Sequence, residues 1–258
     1  MTDPAQNSPA PAVTRAAALL DVLAESGVAM GLTEIARALG LAKSSTLNLC
    51  LALEQAGLVV RREDGYVLGR KLVALGGAYL RGFDLVREFY RACAASPVLS
   101  RELLQIAVLD GTHVLYLARN EGRAPLRLSA TIGDRFPAAI TAVGNALLAQ
   151  LDDAVVRDRF RDPATLPRWT DSSVASLDGL LAKLGATRER GYAVDDGETH
   201  PSVYGLAVVV PARSASEDPY ALGASLMTAQ ATPQYREQVL AHLLQARESL
   251  TNPMLITP

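Results

Sequence analysis

The segment that most constrains this chain runs over residues 31–68, GLTEIARALGLAKSSTLNLCLALEQAGLVVRREDGYVL. Its apolar positions recur twice at helical spacing, and the pattern then changes to two short β-prone runs around the pair Asp64-Gly65. The first helix covers residues 33–39, with Thr33 placed to cap its start, Glu34 to face its dipole and Gly40 to end it. The second begins near Lys43 and Ser44 and closes at Gly57. Thr46, Leu49, Cys50 and Leu53 share its inner stripe, which turns Ser44, Ser45, Leu47, Asn48 and Leu51 outward. Residues 58–62 and 66–68 read as strands joined by Glu63-Asp64-Gly65. Upstream, residues 13–26 place Val13, Ala16, Leu19, Leu20 and Leu23 on one helical face that stops at Gly27. Three helices and a hairpin in this order outline a winged helix-turn-helix.

Such a module reads DNA when its second turn-linked helix carries short polar groups toward base edges and phosphates. Ser44 and Ser45 lie where backbone N–H groups also face an anion, and Asn48 has the amide that pairs with adenine N6 and N7. Leu47 suits a thymine methyl, Arg61 and Arg62 on the hairpin suit phosphate or minor-groove contact, and Lys43 and Arg15 suit phosphates. A three-helix unit with a hairpin can equally be a protein-interaction module. Residues 13–71 hold seven cations (Arg15, Arg37, Lys43, Arg61, Arg62, Arg70, Lys71) against six anions, a net +1. One such head neutralises few phosphates, so DNA binding calls for two heads acting together.

The rest of the chain reads as an α+β domain. With 49% hydrophobic and 20% charged residues over 258 positions, the chain is core-forming and long enough for two domains. Residues 1–12, rich in Pro, Ala, Ser and Asn, read as a flexible tail. Residues 70–95 have helical character up to Pro97 and are expected to form a linker helix between domains. Beyond it, 104–109, 114–118, 126–130, 205–212 and 221–228 read as strands, with Asp110-Gly111 as a hairpin signal. Residues 141–151, 178–190 and 234–250 read as helices. Hairpins mixed with helices imply an antiparallel sheet. Cys50 and Cys93 lack metal or redox spacing, and no apolar run is long enough to span a bilayer. With no signal-peptide pattern at the start, a cytoplasmic protein with no membrane partner is expected.

Several spaced motifs make the chain resemble the IclR-type bacterial transcription regulators. They are V-x-R-A at Val13 to Ala16, GLTEIARALGLAKSST and LEQAGLV in the first part, then GDRFPAAITAVGNALLAQ, RERGYAVDDGE and the strand at 205–211. The resemblance implies four parts: the tail at 1–12, a winged helix-turn-helix at 13–70, the linker helix at 71–95 and a GAF-like effector-binding domain at 96–252. It also implies double-stranded operator DNA as a partner, a homodimer or dimer of dimers, and most simply repression of a catabolic operon. The chain departs from the pattern at Leu47 and Asn48, where aromatic and basic residues are usual, and at Asn145, where a lysine is usual.

Carried over by position, the effector pocket is lined by Ala142, Val143, Asp195, Val203, Gly205, Leu226 and Thr228, with backbone N–H groups near Thr141 to Gly144 available to an acid. Leu226 stands where a small polar residue is common, and Val143 and Val203 are apolar. The expected effector is therefore a small organic, aromatic or otherwise partly apolar, acid or related molecule with one polar end. His200 is a further candidate in the same loop. Trp169, in the loop LPRWTD, is expected to pack on the sheet rather than cap the pocket. Asp195, Asp196 and Glu198 read as a solvated, turn-forming cluster. No metal site, cofactor or nucleophile signature stands out, so no enzyme is expected. A sensor acting through protein contacts, or a catalytic domain joined to a DNA-binding head, are the alternatives.

Overall fold

The computed structural model describes residues 5, 8–81, 85–122, 131–212 and 217–251. The chain divides into two compact units between Phe83 and Asp84. In the first unit, α1 (Pro11–Ser26), α2 (Leu32–Leu39) and α3 (Lys43–Gln55) precede a two-stranded wing, β1 (Val59–Arg62) and β2 (Gly65–Leu68), and then α4 (Lys71–Arg81). Leu19, Leu23, Ile35, Leu39, Cys50, Leu53, Val59 and Tyr66 form its core. The helix ends follow from backbone chemistry: Gly27 and Gly40 take the left-handed conformation that a side chain disfavours.

Thr33 is not the cap of α2. The helix starts earlier, with Gly31 at the N-cap, and the Glu34 carboxylate accepts the Gly31 N–H at 2.8 Å. A carboxylate three residues into the helix satisfies that donor without a capping hydroxyl. The wing is closed by Met30, whose N–H and C=O pair with Tyr66 at 3.1 and 2.9 Å. Arg62 pairs with Gly65, so the connection is Glu63-Asp64 and Gly65 opens the second strand.

In the second unit, α5 (Leu85–Ala95) leads into a six-stranded antiparallel sheet. Its strands are β3 (Leu103–Asp110), β4 (His113–Asn120), β5 (Arg135–Pro137), β6 (Ala193–Asp196), β7 (Val203–Val210) and β8 (Tyr220–Met227), in the order β5-β4-β3-β8-β7-β6. Between β5 and β6 come α6 (Ala142–Leu148), α7 (Asp153–Arg159) and α8 (Leu177–Arg190), and α9 (Pro233–Thr251) follows β8. The expected α+β class with an antiparallel sheet is what forms. The strand expected at 126–130 and residues 1–4, 6 and 7 of the tail expected at 1–12 lie outside the described residues, while Pro11 and Ala12 already belong to α1. Within the linker helix expected over 71–95, the described residues form α4 in the first unit and α5 in the second.

The period of two along each strand separates the faces of the sheet. A Cβ on Gly223 would lie 2.5 Å from Val143 Cγ1, and one on Gly205 3.2 Å from Ala142 Cβ, so these glycines face α6. The opposite face meets α9, where the Arg236 guanidinium lies 3.7 Å from the centroid of the Tyr204 ring. Every residue of α6 is buried. Arg188 clamps the end of that helix, donating to the carbonyls of Ala149 at 2.8 Å and Leu151 at 2.9 Å.

Candidate nucleic-acid interface and ligand cavity

The first unit presents the face expected of a reading helix. Thr46, Cys50 and Leu53 are buried beneath α3, while Lys43, Ser44, Ser45, Leu47 and Asn48 are exposed. Ala42 at the N-cap supplies no side-chain acceptor and no acidic residue stands in the first turn. The start of α3 therefore keeps its positive dipole end beside Lys43 and the two serine hydroxyls. On the wing, Arg61 and Arg62 are both exposed, and the Arg61 guanidinium lies 6.0 Å from the Tyr66 ring centroid. Thr33 is exposed in the first turn of α2, and Arg15 is partly buried on α1.

The second unit contains a cavity of about 190 Å³ between α6, the sheet and two loops. Five of the expected residues line it: Ala142, Val143, Asp195, His200 and Gly205. Leu226 does not. It pairs with Tyr204 and so lies on the α9 face, and the small polar residue of this strand is its neighbour Ser225, opposite Gly205. A one-residue shift along a strand exchanges faces. Val203 is buried at the start of β7, opposite Met227, beyond the cavity. Thr228 is exposed past the end of β8, where its N–H donates to the Ser202 carbonyl at 2.9 Å.

One wall is aromatic. Phe136 meets Tyr116 with ring centroids 5.3 Å apart and Trp169 edge-to-face at 5.5 Å. Trp169 thus packs on the sheet at Phe136 of β5, as expected, and also forms part of the cavity wall, keeping 48% of its surface exposed. Its loop is stapled to the loop after β6: Thr170 Oγ1 donates to the Gly197 carbonyl at 2.7 Å, and Ser173 Oγ to that of Glu198 at 2.8 Å.

Behind this wall lies a buried ionic network, not a solvated acidic cluster. Asp196 is exposed, but Asp195 and Glu198 are buried. Glu198 forms an ion pair with Lys183 and accepts the Val174 N–H at 3.2 Å. Asp195 Oδ1 accepts the N–H groups of Glu198 at 2.7 Å and Thr199 at 3.3 Å, and Oδ2 accepts the Thr199 hydroxyl at 2.5 Å. Burial pushes the Asp195 carboxyl up to about 6, while the Thr199 and Glu198 hydrogen bonds and the Lys183 ammonium pull the other way. Burial likewise lowers Lys183, opposed by Glu198. Asn145 donates to the Ala139 and Thr141 carbonyls at 3.2 and 2.7 Å, and Lys183 reaches the same Ala139 carbonyl at 3.2 Å.

Sequence reasoning missed Gln105, Tyr116, Phe136, Thr199 and Ser225. Two carried a signal: Gln105 and Ser225 each interrupt an apolar strand run, where a polar side chain calls for a reason. Cys50 and Cys93 are free and buried, with burial pushing Cys93 up to about 12. Among the described residues, no cluster of three or more His, Cys, Asp or Glu side chains is disposed to hold a metal ion, and no helix is long and apolar enough to cross a membrane.

A helix-turn-helix unit followed by an α+β unit enclosing a small cavity defines a two-part regulator class, and comparison with known proteins agrees. Residues 12–63 match the IclR helix-turn-helix domain, and residues 78–252 match the bacterial transcriptional regulator IclR C-terminal domain. The chain belongs to the IclR family of DNA-binding transcriptional regulators. It is 30% identical over 200 residues to the HTH-type transcriptional regulator XynR of Escherichia coli, covering 77% of this chain and 79% of that one. It is also 30% identical over 190 residues to the transcriptional repressor IclR of Escherichia coli, covering 72% and 69%. The fold matches a crystal structure of an IclR-type regulator from Silicibacter sp. TM1040 with a TM-score of 0.82 at 21% identity, covering 94% and 95% of the two chains.

Proposed function

We propose that this chain is a ligand-responsive repressor that binds operator DNA as a homodimer or a dimer of dimers. In this reading α3 enters the major groove, with Asn48 and Leu47 toward base edges and Ser44, Ser45 and Lys43 toward phosphates. Arg61 and Arg62 of the wing follow the adjacent backbone, and Arg15 and Thr33 extend the same surface. The effector, a small ring-sized organic molecule, occupies the cavity of the second unit and alters operator occupancy. The observation that carries the reading is the two-faced α3: its stripe of Thr46, Cys50 and Leu53 is buried, while its exposed row holds the groups that read DNA. The relatives XynR and IclR of Escherichia coli are transcriptional regulators, which supports this reading.

The test is binding to DNA from upstream of the chain's own gene, followed by fluorescence anisotropy. Asn48→Ala removes a bidentate base contact and weakens specific binding by about 5- to 100-fold, with little effect on random DNA. Arg61→Ala weakens both sequences alike. Unchanged affinity in both variants, with melting temperature preserved, refutes the assigned surface.

A further inference from the structure

The polar side of the cavity is built from neutral groups. Gln105 on β3, Tyr116 on β4 and Ser225 on β8 keep only 5%, 6% and 8% of their surfaces exposed and line the same cavity. None of their side-chain polar groups has a hydrogen-bond partner within the protein among the described residues. Their polar atoms open onto the cavity space, where a bound molecule or water can complete them. Together they offer an amide and two hydroxyls, each group able both to donate and to accept.

The charge on the wall has the opposite sign to that of a carboxylate receptor. Asp195 lines the cavity with a carboxylate whose oxygens are already held by Glu198, Thr199 N–H and the Thr199 hydroxyl. No lysine or arginine is among the described residues of the lining, and the nearby Lys183 ammonium is committed to Glu198 and the Ala139 carbonyl. His200 accepts the Ser202 N–H through Nδ1 at 3.1 Å, which leaves Nε2 as the nitrogen that carries hydrogen. An anionic ligand would lose its hydration in a small space, meet a like charge and find no cation to compensate it. A neutral ring-bearing molecule loses little hydration and stacks against Tyr116, Phe136 and Trp169.

Resting on the effector reading above, we infer that the cavity selects an uncharged, single-ring effector bearing an amide, carbonyl or hydroxyl group, and discriminates against the corresponding carboxylate. This replaces the acid that family resemblance suggests. The selecting groups are Gln105, Tyr116 and Ser225 acting positively and Asp195 acting by repulsion. The volume of about 190 Å³ lies below the roughly 300–1,000 Å³ of drug-sized sites, which fits one ring with short substituents.

Matched pairs test this on the full chain: benzamide against benzoate, and 4-hydroxybenzamide against 4-hydroxybenzoate, at pH 7.5, where both acids are ionised. Calorimetry gives Kd, and Trp169 emission reports occupancy of this cavity, since it is the sole tryptophan. The expected result is at least tenfold tighter binding of the amide in a pair, accompanied by a change in Trp169 emission. Gln105→Leu, close in size and apolar, is expected to lose at least fivefold of the amide affinity at preserved melting temperature. Equal or tighter binding of the carboxylates, with a Trp169 response, overturns the neutral selectivity and leaves the effector cavity standing. Absence of any Trp169 response or heat from all four molecules at millimolar concentration overturns the effector cavity and this inference with it.

Discussion

Asp195 is buried against β7, and its carboxylate serves the loop that follows β6 by accepting two N–H groups and a hydroxyl. Its pKa of about 6 lies above the ordinary aspartate value, chiefly through burial, so the folded state binds this proton more tightly than the unfolded chain. The stabilisation from protonation is fully present below about pH 4 and is lost as the pH rises through about 6, an effect on the order of 3 kcal/mol. Asp195→Asn removes the titration and is expected to flatten the dependence of melting temperature on pH between 4 and 7. A melting curve as steep as the wild type's would assign that dependence to other groups. Residues 142, 143, 195 and 205 were legible as cavity lining because motif position carries them, and His200 because it shares the loop of Glu198. Leu226 was not, because the face of a strand residue depends on a register that emerges only when β7 and β8 pair.

Among the elements, the wing shows how strongly a single backbone position is specified. Gly65 has φ of +145°, and a Cβ there would lie 2.4 Å from the Met30 carbonyl oxygen. Gly65→Ala must therefore displace either β2 or the Met30 bridge, at a cost of about 2 kcal/mol or more. The expected outcome is a lowered melting temperature and weakened DNA binding together. A variant with unaltered melting temperature would show that the wing tolerates a side chain at this approach. The helices of the first unit were readable because amphipathic spacing and terminal glycines agree. The short strands β5 and β6 and the helix α7 were not. Arg135–Pro137 has three residues, and Ala193–Asp196 ends in two acids, so neither shows the alternation that marks a strand. They exist because neighbouring strands supply their hydrogen bonds.

For the whole molecule, charge sets how it can bind DNA. The formal charge is −2, and residues 13–71 carry a net +1, so affinity rests on a few local cations and on the number of heads engaged. With Lys43, Arg61 and Arg62 contacting phosphates on each of two heads, the logarithm of affinity should fall against the logarithm of salt with a slope of about −5. A slope near −3 would indicate a single head, and sedimentation of the complex gives the number of chains independently. The sequence by itself determined the class of this protein: helix periodicity and glycine caps outline a helix-turn-helix head, and the spaced motifs carry the resemblance to the IclR family, all of them local properties. Only the tertiary structure decided the chemistry of the cavity. Gln105, Tyr116 and Ser225 come from three different strands, and Trp169 from a loop. Their convergence, and the burial that raises Asp195, are products of packing between segments far apart in the chain.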